Sequence, residues 1–415
     1  MKSRIVMTHF QKKHHTHVYL LPLFILVCSL GYLLYVVHQN TIASVYSPDS
    51  PESLVSCEQF TNTGSMMDWI CIKKSIWVIL NSHSTQKLMG TLTDTRIPES
   101  ISSNCHPISH FIGIETFRRS LSIEDALLKC TNSCGSGCIH GVIAGAVLKD
   151  LGETYSSEDI EHADMTTIRK IGKKYCQSGN PMCHAMGHIL LMSDQSYTGA
   201  LDGCDAIADS GWSRESCYQG VFMQMVWWDK EWLFPGQVIR TRSVDDYAYP
   251  CSLVDSTRLH ACFHYLPLLQ SELFREKNIR SLAERYRISE HVCESFFLSW
   301  RSDCFLGIGY FADNEVFPED SPIDIRSRCA KLRIGSDQNA CDRGIMDHYM
   351  YRKEYARMLS YCHILGDTPR KISCYDSVFD SIESEAPEEN REQLCNLGDM
   401  NECTEQYHRY QKSSS

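Results

Sequence analysis

The chain has 415 residues, 43% hydrophobic and 22% charged, enough to bury a large core. With 40 basic against 51 acidic residues its formal net charge is −11, a balance that excludes nucleic acid as a natural partner and disfavours docking on anionic lipid. The sequence contains no C-x-x-C, HExxH, G-x-S-x-G, P-loop or Rossmann glycine fingerprint, so thiol-disulfide exchange and the familiar hydrolase and nucleotide chemistries have no support in it.

In chain order, residues 1–17 form a basic leader carrying Lys2, Arg4, Lys12 and Lys13. Val18 to Val37 (VYLLPLFILVCSLGYLLYVV) then run without a charge. As a helix this stretch spans roughly 30 Å, the hydrocarbon thickness of a bilayer. No lysine or arginine follows until Lys73, and that asymmetry predicts a cytoplasmic N-terminus with the body across the membrane, in a periplasm, at a cell surface or in a secretory lumen. Cleavage near Thr41 and Ala43 is the competing arrangement; the long leader and full-length apolar run favour an uncleaved transmembrane signal anchor over residues 18–37. Beyond the leader the balance is 36 basic to 51 acidic residues, and there is no N-x-S/T sequon, which leans toward a bacterial envelope. Residues 38–65, with SPDSPES inside, predict a stalk, residues 66–408 a cysteine-rich repeat domain, and residues 409–415 a disordered tail.

Outside Cys28 of the anchor, twenty of the 21 cysteines remain, and an exported chain makes them disulfides. Most recur in a pattern. Taking one cysteine of each unit as position zero, the string returns at Cys105, Cys138, Cys183, Cys217, Cys262, Cys304, Cys341 and Cys374, in steps of 33 to 45 residues. An apolar residue stands four on, at Val142, Val221, Leu266, Ile308, Ile345 and Val378, which places it on the same helical face. Glycine stands three on, at Gly141, Gly220, Gly307 and Gly344. Glycine costs a helix about 1 kcal/mol against alanine, so its recurrence predicts helices whose backbones touch. The segment before each turn is the second helix: SLSIEDALLKC, TTIRKIGKKYC, YTGALDGC and RSLAERYRISEHVC end at Cys130, Cys176, Cys204 and Cys293, the first with a serine cap before IED.

Adjacency pairs Cys130 with Cys138, Cys176 with Cys183, Cys204 with Cys217, Cys251 with Cys262, Cys293 with Cys304, Cys329 with Cys341, Cys362 with Cys374 and Cys395 with Cys403. Each bridge across so short a loop contributes about 3 kcal/mol. Cys57, Cys71, Cys105 and Cys134 are left with three open connectivities. The pattern predicts an all-α, right-handed solenoid of about eight disulfide-stapled helical hairpins behind one N-terminal transmembrane helix. In architecture it resembles the tetratricopeptide-like class of helical-hairpin solenoids over roughly residues 66–408, although the tetratricopeptide consensus residues are absent. The resemblance implies stacked hairpins with a concave face, and no activity.

Candidate chemistry gathers in the first units. CHPISHFIG, CIHG and CHAMGH give His106 with His110, then His140, then His184 with His188: two i,i+4 pairs flanking a single histidine. Equivalent helices in a stack lie about 10 Å apart, so five imidazoles can line one groove. Such a pair chelates an ion, and a divalent transition metal, zinc or copper first, is the cofactor this set suits. Three histidines with an open position would fit a catalytic zinc. Packing is the competing role, since His260 and His264 repeat the spacing without the surrounding cluster. Glu115, Glu124 and Asp125 are the nearby acids in sequence. TNSCGSGCIHG is a disulfide knot rather than a thiolate cluster site, because an exported chain seldom keeps reduced thiols. WWDKEWLF, from Trp227, is an aromatic string suited to packing between units or to a ligand patch. Two functions follow: foremost an extracytoplasmic interaction module binding a protein, peptide or glycan, and alternatively a metal-dependent enzyme, hydrolytic or oxidative, seated among the histidines. Convergence of all five rings is what separates them.

Overall fold

A computed structural model describes residues 51–414, apart from residues 62–63, 68, 93–100, 102–103, 132, 153–163, 178–179, 229–245, 312–321, 352–353, 367, 386–390 and 397–400. The leader and the Val18–Val37 run lie outside the described residues, within which no helix is long and apolar enough to cross a membrane. Contacts divide the chain into two compact units, Met1–Ser102 and Ser103–Ser415.

In the first unit a 3-10 helix over Pro51–Cys57 leads into an antiparallel hairpin, β1 (Glu58–Thr61) and β2 (Gly64–Met67), with Glu58 opposite Met67 and Thr61 opposite Gly64. Helices α1 (Trp69–Ile79) and α2 (Thr85–Leu92) follow. Part of the expected stalk is therefore ordered structure. Cys57 bonds Cys71 of α1, and Leu54 is buried, which ties the segment down. This hairpin is the one departure from an all-helical fold among the described residues.

Among the described residues, the secondary structure of the second unit is helical throughout. Its elements are α3 (Cys105–Arg118), α4 (Ile123–Lys129), α5 (Gly137–Leu151), α6 (Met165–Cys176), α7 (Asn180–Asp194), α8 (Tyr197–Ile207) and α9 (Gly211–Trp228). They continue as α10 (Leu259–Glu276), α11 (Leu282–Ser295), α12 (Leu298–Tyr310), α13 (Pro322–Cys329) and α14 (Gly335–Tyr351). The last four are α15 (Tyr355–Ile364), α16 (Thr368–Glu385), α17 (Arg391–Asn396) and α18 (Asn401–Ser414). Ser122 caps α4 by accepting from the Asp125 amide, as SIED predicts. The expected tail is helical to Ser414, because Tyr410 packs on Phe379 and donates to Asp380 Oδ1 at 2.5 Å.

The eight helices that carry the position-zero cysteines, α3, α5, α7, α9, α10, α12, α14 and α16, each pack against the next. Every apolar plus-four residue is buried: Val142, Val221, Leu266, Ile308, Ile345 and Val378. The eight adjacent cysteine pairs are all bonded as spacing predicts. The four left over join as Cys57–Cys71 and Cys105–Cys134. Cys251 differs from its counterparts in sitting in a turn rather than at a helix end.

The recurring glycines mark three helix pairs that are close from both sides, and a Cβ on Gly307 would lie 2.3 Å from the Phe263 carbonyl oxygen, a one-sided approach of α12 to α10. A Cβ on Gly141 would lie 2.0 Å from the His110 carbonyl oxygen, one on Gly220 1.9 Å from that of His184, and one on Gly344 2.0 Å from that of Leu306. The approach is mutual, for a Cβ on Gly113, Gly187 or Gly309 would lie 2.0, 2.1 or 2.0 Å from the carbonyl oxygen of Cys138, Cys217 or Cys341. Only glycine fits such an approach, so α3–α5, α7–α9 and α12–α14 are the tight joints of the row. The row also brings distant ends together: the Tyr351 hydroxyl at the end of α14 hydrogen-bonds Ser136 Oγ at the start of α5.

Candidate metal centre

The glycine joint between α3 and α5 sets His106 and His110 against His140, and α7 packs on α5 carrying His184 and His188. All five predicted histidines converge. The His140 ring centroid lies 5.4 Å from His106, 5.5 Å from His110, 4.9 Å from His184 and 4.7 Å from His188. Two overlapping sets, His106–His110–His140 and His140–His184–His188, each present ligand atoms within 4.8 Å of one another and could hold a metal ion. His106 Nε2 and His110 Nε2 face each other at 3.0 Å.

Burial fixes the chemical state of these rings. It holds His110, His140 and His188 well below the ordinary imidazole range and His184 down to about 3, with neighbouring histidines adding to the effect. Neutral imidazole is the form that ligates. Several rings are also oriented from behind. His106 Nδ1 hydrogen-bonds the Cys134 carbonyl at 2.8 Å, His188 Nδ1 the Gln224 Oε1 at 2.8 Å, and His184 the Ser216 backbone. Pinning one nitrogen to a carbonyl or amide oxygen leaves the other free for a metal, which is how ligating histidines are commonly held. His188 Nε2 is accordingly buried without a hydrogen-bond partner, and so is His140 Nδ1. An orphaned buried nitrogen costs about 1–3 kcal/mol, a cost an ion would remove.

The loop that supplies the Cys134 carbonyl is itself constrained. Cys134, Gly135 and Ser136 are left-handed in succession, at φ of 56, 60 and 59°. For the two non-glycine residues this costs about 1–2 kcal/mol each. The Cys105–Cys134 bridge and the Tyr351–Ser136 hydrogen bond hold the loop there.

The acids weighed from sequence play other parts. Glu115 is engaged by Arg119 at 2.8 Å and Arg118 at 3.3 Å. Glu124 and Asp125 sit in the first turn of α4, Asp125 paired with Lys129 at 2.7 Å. Among the described residues, the sets able to hold a metal consist of histidines alone. The comparison pair splits apart in environment: His264 is half-buried beside Tyr310, with desolvation pushing it down to about 3, whereas His260 bonds Asp303 at 2.9 Å and is held above its ordinary range by that carboxylate. The string from Trp227 falls outside the described residues except for the backbone of Trp227 and Trp228. Sequence reasoning missed Gln224, Ser216 and the Cys134 carbonyl as supports, and Tyr265, 6.3 Å from His184, as a neighbour of the cluster. No protein-family model, curated protein or solved structure matches the chain.

Proposed function

We propose that this is an exported metalloprotein whose function resides in the five-histidine centre, with zinc or copper as the resident ion. The observation that carries the reading is the convergence of His106, His110, His140, His184 and His188 from three separate helices into two sets with ligand atoms within 4.8 Å. A bare interaction scaffold has no need to aim five imidazoles, three buried and two half-buried, at one place or to orient three of them from behind. The metal-dependent alternative therefore stands ahead of the interaction module. Three histidines and an open coordination position suit a metal that activates water if zinc, or cycles its oxidation state if copper. His106, His110, His140, His184 and His188 are the residues from which metal ligands would be drawn; Cys134, Ser216 and Gln224 would orient His106, His184 and His188.

The surrounding architecture is part of the same proposal: a right-handed solenoid of disulfide-stapled hairpins, held outside the cytoplasm by an anchor at Val18–Val37. Ten bridges between adjacent segments support the exported placement. Elemental analysis of the purified full chain, after growth with zinc and copper, tests the metal reading. A transition ion should copurify with the wild type and be missing from a variant with all five histidines changed to alanine. Equal metal content in the two would sink the reading. For placement, a membrane-impermeant reagent on intact cells should label the C-terminal region and spare the leader; the reverse pattern would overturn it.

A further inference from the structure

We infer that the centre takes two ions, with His140 as the ligand common to both, one ring nitrogen to each. The inference rests on the metal-binding reading above and deepens it. Ligand bonds to zinc from histidine are about 2.0–2.1 Å, so two nitrogens on one ion lie no more than about 4.2 Å apart. Among the described residues the ligand atoms fall into two sets of three, each within 4.8 Å, and not into one set of four or five. A single ion would therefore leave at least two of the five rings idle, whereas two ions use them all. His140 is the member of both sets.

Its position agrees. His140 has all four other rings within 5.5 Å, whereas His188, the next most central, lies 6.1 Å from His106. The pattern of support agrees as well. His106, His184 and His188 each commit a ring nitrogen to an oxygen behind them, which fits a ligand to one ion. His140 instead leaves Nδ1 buried and unpartnered. A ring that serves two ions must keep both nitrogens free of such anchors. In binding the second ion, the neutral His140 ring gives its N–H proton to water and becomes an imidazolate, so each nitrogen offers a lone pair to one ion; no electron transfer is involved.

The test loads the full chain with Cu(II), removes excess by desalting, and measures copper per chain together with the electron paramagnetic resonance spectrum. His14, His15 and His17 of the leader can also take copper, so counts are taken relative to the five-fold alanine variant. The expected result is two ions per chain, magnetically coupled, with the ordinary single-ion signal suppressed. The double variants H106A/H110A and H184A/H188A should each keep one ion and regain that signal. One ion in the wild type, lost in either double variant, would overturn the two-ion inference and leave the metal reading standing. Two ions with uncoupled spectra would overturn the sharing of His140. A count no higher than the five-fold variant would end both. Should a double variant fail to fold, wild-type stoichiometry and coupling decide alone.

Discussion

The most exacting consequence of the fold concerns Gly220, which lies at the joint of α7 and α9. In a Gly220→Ala variant the new Cβ would stand 1.9 Å from the His184 carbonyl oxygen, 2.9 Å from its carbon and 3.2 Å from Gly187 Cα. All three are backbone atoms, so no side chain can swing aside. Reaching an ordinary contact of about 3.4 Å demands that the helices part by about 1.5 Å, and overpacking of this kind costs roughly 3 kcal/mol, the upper end of its usual range. Alanine returns about 1 kcal/mol through its better helix propensity. The net loss is about 2 kcal/mol, or a fall in melting temperature on the order of 3 °C for a unit the size of Ser103–Ser415. Because the displaced carbonyl belongs to His184, the same substitution should also weaken metal retention. Gly211→Ala is the control: it lies in the same helix and has nothing within 4 Å, so it should stay within about 0.5 kcal/mol of wild type. Differential scanning calorimetry with disulfides intact reads both. If Gly220→Ala melted with Gly211→Ala, the helices would not approach as described, and the placement of His184 would fall with them.

Two further substitutions address the surroundings of the site. Gln224→Leu removes the oxygen that holds His188 Nδ1 and should lower metal affinity about 10–100-fold in a chelator competition, with the number of ions unchanged; unaltered affinity would mean that His188 is not a ligand. Glu215→Gln bears on pH: burial pushes the Glu215 carboxyl from its ordinary 4.5 up to about 7, so the folded state binds its proton more tightly than the unfolded state. No penalty exists below the unfolded value, and stability is lost as pH rises through the folded one, by at most roughly 3 kcal/mol and less for the 19% of the side chain left in water. Urea unfolding should therefore find the variant more stable than wild type at pH 8.5 and equal to it at pH 4.5; equality at both would refute the buried-carboxyl account.

What could be read from the chain, and what could not, divides along a physical line. Local spacing carried the hairpins. A cysteine pair 7 to 13 residues apart across a turn has one geometrically easy partner, so Cys176–Cys183, Cys130–Cys138 and Cys204–Cys217 follow from adjacency. Cys105 and Cys134, 29 residues apart, have no such constraint; their bridge depends on how the loop before α5 folds back over α3. The i,i+4 histidine pairs were likewise local, but their meeting with His140 required stacked helices at a particular distance. That distance is encoded by glycine, and only half of the code is periodic. Gly141, Gly220 and Gly344 keep one offset from their cysteines, whereas their partners Gly113, Gly187 and Gly309 stand at irregular offsets, since each must match a carbonyl on a neighbouring helix rather than a face of its own. Gln224 and Ser216 were invisible for a related reason: a hydrogen-bonding partner is defined by the ring it reaches across 36 or 32 residues, not by its neighbours in α9. The contact between Ser136 and Tyr351, 215 residues apart, is the extreme case. It bonds the left-handed loop whose carbonyl orients His106, so the cluster histidine nearest the start of the row is held in part by a residue near its far end.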